Sequence, residues 1–197
     1  VHYQLTSALG LLAGVHKGFV PTGPGVDESI EPEESTGYEA GFRYDDQSTQ
    51  LDLIGFFNDY SNLKGVCTFS SGCIAATGEA FNGGEVEVFG LEAMLRHEWA
   101  LKPDWRGPLG MTYTYTQAEF QTDFESSFPL WGDVRAGDEV PYMPSHRGSA
   151  TLGLSTPNWD VTLRASYVGT QQEQAGQGGP LANAEVEPYT VLDLSGN

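Results

Sequence analysis

The sequence predicts an all-β chain, an antiparallel up-and-down transmembrane β-barrel segment of about eight strands. Three observations carry that prediction. Bulky apolar residues alternate with small or polar ones along each candidate strand, long and short connections alternate between strands, and charges sit on the polar side of the alternation. The clearest stretch is Leu109 to Gln121. Leu109, Met111, Tyr113 and Tyr115 interleave with Gly110, Thr112, Thr114, Thr116 and Ala118. A soluble sandwich turns such a bulky face inward against a second sheet. A membrane barrel turns it toward lipid and keeps the small hydroxylated face for a wet interior. At about 10 to 13 residues the stretch is long for a soluble strand and suits a tilted membrane strand.

The other elements follow in order. Leu9 to Phe19 reads as a strand with Leu9, Leu11, Ala13 and Val15 on one face, broken by Pro21-Thr22-Gly23-Pro24-Gly25. Tyr38, Ala40, Phe42 and Tyr44 form the apolar face of a second strand, opposite Glu39, Gly41 and Arg43. A short turn at Asp45-Asp46-Gln47-Ser48 leads into Leu51, Leu53, Gly55 and Phe57, where Ile54 and Phe56 interrupt the polar side. Glu85 to Trp99 is a fourth strand, and a connection through Lys102-Pro103-Asp104 to Pro108 precedes the fifth, described above. His146 to Thr156 and Trp159 to Tyr167 are joined by Pro157-Asn158, and a last strand begins at Tyr189. Loops 20–36, 61–84, 122–144 and 171–188 are long, while the turns between strands two and three and between six and seven are short and the connection between four and five is modest. Short turns at one end and long loops at the other are the asymmetry of outer-membrane barrels. Trp99, Trp105 and Trp159 fall near the short-turn end and Phe19, Phe57, Tyr60 and Tyr167 near the long-loop end, as interfacial girdles require.

Composition narrows the function. No apolar run is long enough for a membrane-crossing helix, and a mean hydropathy of -0.31 suits alternating strands. A formal charge of -18 argues against nucleic acid as a partner, because phosphate neutralisation needs clustered cations. The acid gathers in loops, as at Glu31-Pro32-Glu33-Glu34 and between Asp123 and Glu139, where solvated loop surface is the plain reading and no EF-hand spacing occurs. Cys67 and Cys73 bracket one short loop with no second pair or histidine nearby for a metal. A disulfide worth about 2 kcal/mol is the preferred reading, two free thiols the alternative. Glu39, Arg43, Asp52, Glu92, Arg96, Asp160 and Arg164 fall on the polar face with opposite signs on successive strands, and cross-strand pairing is their expected role. His2, His16, His97 and His146 are scattered, and no nucleophile or metal-protease motif appears, so no catalytic residue, cofactor or metal site is expected. The chain opens at Val1 without a signal-like segment and stops at Ser195-Gly196-Asn197 in mid-strand, so it reads as an internal piece of one longer barrel domain.

Several stretches resemble the β-barrel of TonB-dependent outer-membrane receptors, most closely the ferric-citrate and siderophore branch. They are Ala13-Gly14-Val15-His16-Lys17-Gly18-Phe19, Glu33-Glu34-Ser35 with Tyr38 to Tyr44, and Phe56-Phe57-Asn58-Asp59-Tyr60-Ser61-Asn62-Leu63. Gly90-Leu91-Glu92-Ala93, Thr112 to Phe120, and Val140-Pro141-Tyr142-Met143-Pro144-Ser145-His146 continue the series in the family's order. The resemblance implies about eight strands of a 22-strand barrel, with the plug and C-terminal strands lying outside residues 1–197. It further implies import of an iron chelate across a Gram-negative outer membrane, with energy delivered by TonB through the plug. Lipid, the chelate and TonB are the implied partners. Phe69, Phe81, Phe124, Phe128 and Trp131, in the long loops, are the candidate ligand contacts. Two other readings stand beside this one: a secreted or surface β-sandwich binding or adhesion module, and an outer-membrane barrel enzyme. Heat-modifiable gel migration and detergent-dependent extraction separate a barrel from a sandwich.

Overall fold

The computed structural model of the chain describes residues 1–22, 31–68, 71, 78–177, 181 and 183–197. Nine strands form one antiparallel sheet: β1 (His2–Gln4), β2 (Leu9–Val20), β3 (Glu33–Asp45), β4 (Thr49–Ser61), β7 (Val86–Lys102), β8 (Trp105–Phe120), β11 (His146–Ser155), β12 (Asp160–Val168) and β15 (Tyr189–Gly196). Each pairs with its neighbours in chain order, the up-and-down topology expected. Three two-stranded ribbons lie within the long loops: β5 (Lys64–Val66) with β6 (Ala80–Asn82), β9 (Phe124–Glu125) with β10 (Asp133–Val134), and β13 (Gln171–Gln172) with β14 (Glu185–Val186).

Register turns the sequence alternation into two continuous faces. Leu11, Phe42, Leu53, Ala93 and Tyr113 stand directly opposite one another across five strands. Leu109, Leu152, Leu163 and Leu194 do the same farther along the sheet. Nothing among the described residues covers this face: Met111 is 46% exposed, Tyr113 43%, Leu91 37% and Leu163 48%. A sandwich would have buried these residues against a second sheet, so that reading is excluded. From Phe89 to Trp99 the apolar side of β7 covers about 33 Å of strand, which at a barrel tilt of about 40° gives a band roughly 25 Å high.

Four short turns close one end, because β1 adds a turn at residues 5–8 to those at 46–48, 103–104 and 156–159. In one of them Asp46 accepts hydrogen bonds from the backbone N–H of Ser48 (2.8 Å) and Thr49 (2.7 Å) and from the Tyr44 hydroxyl (2.7 Å). These donors, the Ser48 N–H foremost, hold the Asp46 carboxyl down at about 2. A lowered pKa stabilises the turn fully above the ordinary carboxylate range and loses that contribution as pH falls toward about 2. Amide protection at Ser48 and Thr49 is therefore expected to fade between about pH 4 and 2, and to be weak already at neutral pH in Asp46→Ala. Protection unchanged across that window would remove Asp46 as the anchor.

The structure corrects the sequence reading in four places. The fifth strand begins at Trp105, so the modest connection expected through Pro108 is a tight turn at 103–104. Pro108 lies within β8, where it cannot donate a ladder hydrogen bond; β8 and β11 pair at Arg106 and Leu109, but no pair falls between them. The strand β1 was too short to show periodicity. The loop ribbons were equally invisible as local patterns. Tyr60, expected at the apolar girdle, shares the polar face of β4 with Asp52 and Asn58 and packs inward against the loops.

Candidate ligand-receiving surface

The polar side of the sheet carries the seven predicted charges. Arg43 and Asp52, directly opposite on β3 and β4, form a two-pronged pair, Nε to Oδ1 at 2.7 Å and Nη2 to Oδ2 at 3.0 Å. Asp52 is nearly buried and the Arg43 side chain is half exposed, so partial desolvation strengthens the pair without isolating it from solvent. A double-mutant cycle on Arg43→Ala and Asp52→Ala is expected to show a coupling of about 1 kcal/mol. Zero coupling would leave the pair a contact without energetic weight.

The other five charges do not form ion pairs among the described residues. Glu39 lays its carboxylate over Gly14. Glu92 stands opposite Ile54 and Thr114, and Arg96 opposite Gln50 and Gly110. Arg164 faces Thr151 and Asp193, and Asp160 faces Ser155. Cross-strand pairing thus accounts for one pair; the remaining charged groups lie on the polar side of the sheet without an ion pair among the described residues. Sequence reasoning missed Glu98 and Arg106, paired at 2.5 Å near the short-turn end, because the turn between their strands was placed too far along.

At the long-loop end the polar face becomes apolar. Val86, Val88, Ala118 and Phe120 occupy positions that lower down carry Glu92, Thr112 and Thr114. The long loops fold onto this patch. Cys67, Val86, Phe120, Phe128, Trp131 and Val134 form the buried cluster, with Tyr60, Phe81 and Phe124 packed around it. Trp131 is central: its ring meets Phe128 edge-on at 4.9 Å, Phe124 at 5.7 Å and Phe120 at 6.0 Å. Phe81 stacks on Phe128 at 5.7 Å. The indole fits only because residues 65 and 83 lack side chains; a Cβ would lie 2.9 Å from it at Gly65 and 2.6 Å at Gly83.

Backbone bonds tie the remaining loops to this cap. Gly176 donates to the Trp131 carbonyl (2.8 Å), Ala175 to that of Leu130 (2.9 Å), and Asp133 and Gln177 exchange two bonds (2.9 and 3.0 Å). Lys64 Nζ donates to the Val20 and Pro21 carbonyls at 3.0 Å, and the Lys64 N–H to Glu33 Oε2 at 3.0 Å. Of the candidate contact residues, Phe128 and Trp131 are buried within the cap and Phe81 and Phe124 are half-buried against it. Phe69 lies outside the described residues. Cys67 is buried and is not a free thiol; Cys73, and with it the expected pairing, lies outside the described residues. Asp123, Glu125 and Glu139 are exposed in the same loop, with Asp123 accepting the Ala136 N–H (2.8 Å) and pairing with Arg135 (3.7 Å). No group of three histidine, cysteine or acidic residues is close enough to hold a metal among the described residues.

A sheet apolar on one side, charged on the other, with short turns at one end and folded loops roofing the other, is the wall of a membrane β-barrel. The chain belongs to the family described as TonB dependent receptor-like, beta-barrel, which matches residues 1–197. The metal-pseudopaline receptor CntO of Pseudomonas aeruginosa is 29% identical over 207 aligned residues, covering 98% of this chain and 26% of the relative. The ferric yersiniabactin uptake receptor FyuA from Yersinia pestis superposes with a TM-score of 0.70 at 19% identity, over 99% of this chain and 28% of that one. The ferric citrate transporter FecA, unliganded, gives 0.68 at 19% identity, over 97% and 28%. The chain therefore spans about a quarter of the curated relative's length. Family and fold are those of outer-membrane receptors of Gram-negative bacteria and not of enzymes, which removes the barrel-enzyme reading.

Proposed function

We propose that this chain forms part of the wall and the ligand-receiving loops of an outer-membrane receptor that imports an iron or other metal chelate. Residues 1–197 belong to one barrel domain in this reading, and TonB supplies energy through a plug outside them. The observation that carries it is the loop cap: loops folded onto the polar face leave charged, hydrogen-bonding wall below and acidic loop surface above. Unpaired Glu39, Glu92, Arg96 and Arg164 serve the passage of a polar cargo, not the stability of the wall. Direct ligand contact falls to the half-buried Phe81 and Phe124 and to exposed acids of the same loops, while Phe128 and Trp131 hold those loops in place.

The exposed carboxylates disfavour a polyanionic ferric citrate complex, for which clustered arginine is the matching chemistry. A chelate carrying amines or other donors fits better. Uptake of labelled metal supplied as ferric citrate, ferric yersiniabactin and metal-pseudopaline, in cells with and without the full-length receptor, tests the reading. Receptor-dependent uptake of at least one chelate is expected, reduced by Asp123→Asn with Glu125→Gln. Uptake of all three that ignores the receptor would overturn it.

A further inference from the structure

Asn82-Gly83 is the single Asn-Gly pair of the sequence, and it lies against the centre of the loop cap. Asn82 ends β6, directly opposite Lys64 on β5. Its side-chain oxygen is buried and accepts no hydrogen bond. Gly83 has no room to be anything larger, because a Cβ there would lie 2.6 Å from the Trp131 ring. Packing of the indole therefore demands the residue that makes a preceding asparagine chemically labile. With no side chain at 83, nothing shields the Gly83 nitrogen from the Asn82 amide.

The fold holds that reaction back. The Gly83 N–H donates to the Leu63 carbonyl at 2.6 Å, and the Leu63 N–H donates to the Gly84 carbonyl at 3.0 Å. Ring closure needs the Gly83 nitrogen to leave Leu63 and the Asn82 backbone to turn out of its extended strand form. Both require the β5–β6 ribbon to open, and loop ribbons open at a lower free energy than a central sheet. We propose that Asn82 is a deamidation site, closed while Trp131 packs on the ribbon and reactive once the cap opens. The Gly83 nitrogen bonds to the Asn82 Cγ, the Cγ–Nδ2 bond breaks, and Nδ2 leaves as ammonia with the Gly83 amide proton. Water then opens the cyclic imide at Cγ to give aspartate, or at the Asn82 backbone carbonyl carbon to give isoaspartate.

The product works against reclosure. Aspartate places a carboxylate where the buried oxygen has no donor, an unfavourable site for charge. Lys64, with its Cβ about 5 Å away across the ribbon, is the cation within reach. Its Nζ spans to the Val20 and Pro21 carbonyls at 3.0 Å, which ties the end of β2 to the ribbon. Pairing with residue 82 takes Lys64 from them. Isoaspartate instead adds an atom to the backbone and breaks the pairing of residue 82 with Lys64. Either product makes an opening of the cap permanent, whatever the cargo.

The test incubates the full-length receptor at mildly alkaline pH, folded in detergent and unfolded in urea, and follows aspartate and isoaspartate at position 82 by peptide mass spectrometry. Conversion is expected to be slower by about tenfold or more in the folded receptor. Freshly purified Asn82→Asp should be cut by protease within 62–85 about tenfold faster than the wild type. Asn82→Ser, with neither amide nor charge, should keep the wild-type rate. Heat-modifiable migration confirms that each variant retains the barrel. Equal conversion in folded and unfolded receptor overturns the proposal, as does no conversion in either. So does Asn82→Asp cut at the wild-type rate, or Asn82→Ser cut as fast as Asn82→Asp.

Discussion

Alanine at position 131 is expected to release three loops together while leaving the barrel wall folded. Trp131 is 3% exposed and contacts Phe120, Phe124 and Phe128 around its ring. It also closes over Gly65 of β5 and Gly83, the residue after β6, and its carbonyl accepts the Gly176 N–H from the following loop. Truncating a buried tryptophan costs about 3–5 kcal/mol, and loops are drawn from the low-stability end of a structure, so the loss is expected to open the cap before the sheet. Limited proteolysis should then cut within 62–85, 122–144 and 169–188 in the Trp131→Ala receptor but not in the wild type. The reciprocal change, Gly83→Val, puts a side chain where the indole sits and should give the same cleavage pattern. Heat-modifiable migration should persist in both, since the nine-strand sheet does not depend on the cap. An unchanged protease pattern in Trp131→Ala would show that the loops are held by their backbone bonds alone.

Arginine at Met111 and at Thr112 should have very different costs, although the two residues are adjacent in the chain. Met111 lies at mid-height in the apolar band, 46% exposed and directly opposite Leu95 and Ala150. A cation there costs about 2–4 kcal/mol in a bilayer. Thr112 points the other way and shares a 2.8 Å hydroxyl contact with Ser149. Its replacement loses one exposed hydrogen bond, about 1 kcal/mol, in a wet interior that tolerates charge. Folding of the full barrel into lipid vesicles, titrated with urea, measures both. Equal costs would mean that the two faces do not have the environments assigned to them.

Most of the wall could be read from the sequence. Period-two alternation in β8 assigned Tyr113 outward and Thr114 inward before any register was known, and the neighbouring strands agree residue by residue. Loop lengths gave the two ends of the sheet. The loop aromatics were harder to place. Phe124, Phe128 and Trp131 in an acidic loop look like exposed contact residues, since nothing within the loop itself can bury them. A faint signal was present in the strands: the polar side of β8 turns from threonine to Ala118 and Phe120, and that of β7 turns to Val88 and Val86. A wet interior does not call for such residues, so they mark where something apolar settles.

What the sequence by itself determined, then, is which way each strand residue points, because alternation is a property of the extended chain and needs no partner. It also determined which end carries the turns. Only the tertiary structure decided what the loops do. Their packing joins Gly65, Gly83, Phe120, Trp131 and Gly176, brought together from three loops and a strand end. No local pattern records a contact between segments so far apart, because the indole is buried by residues whose only contribution is the absence of a side chain.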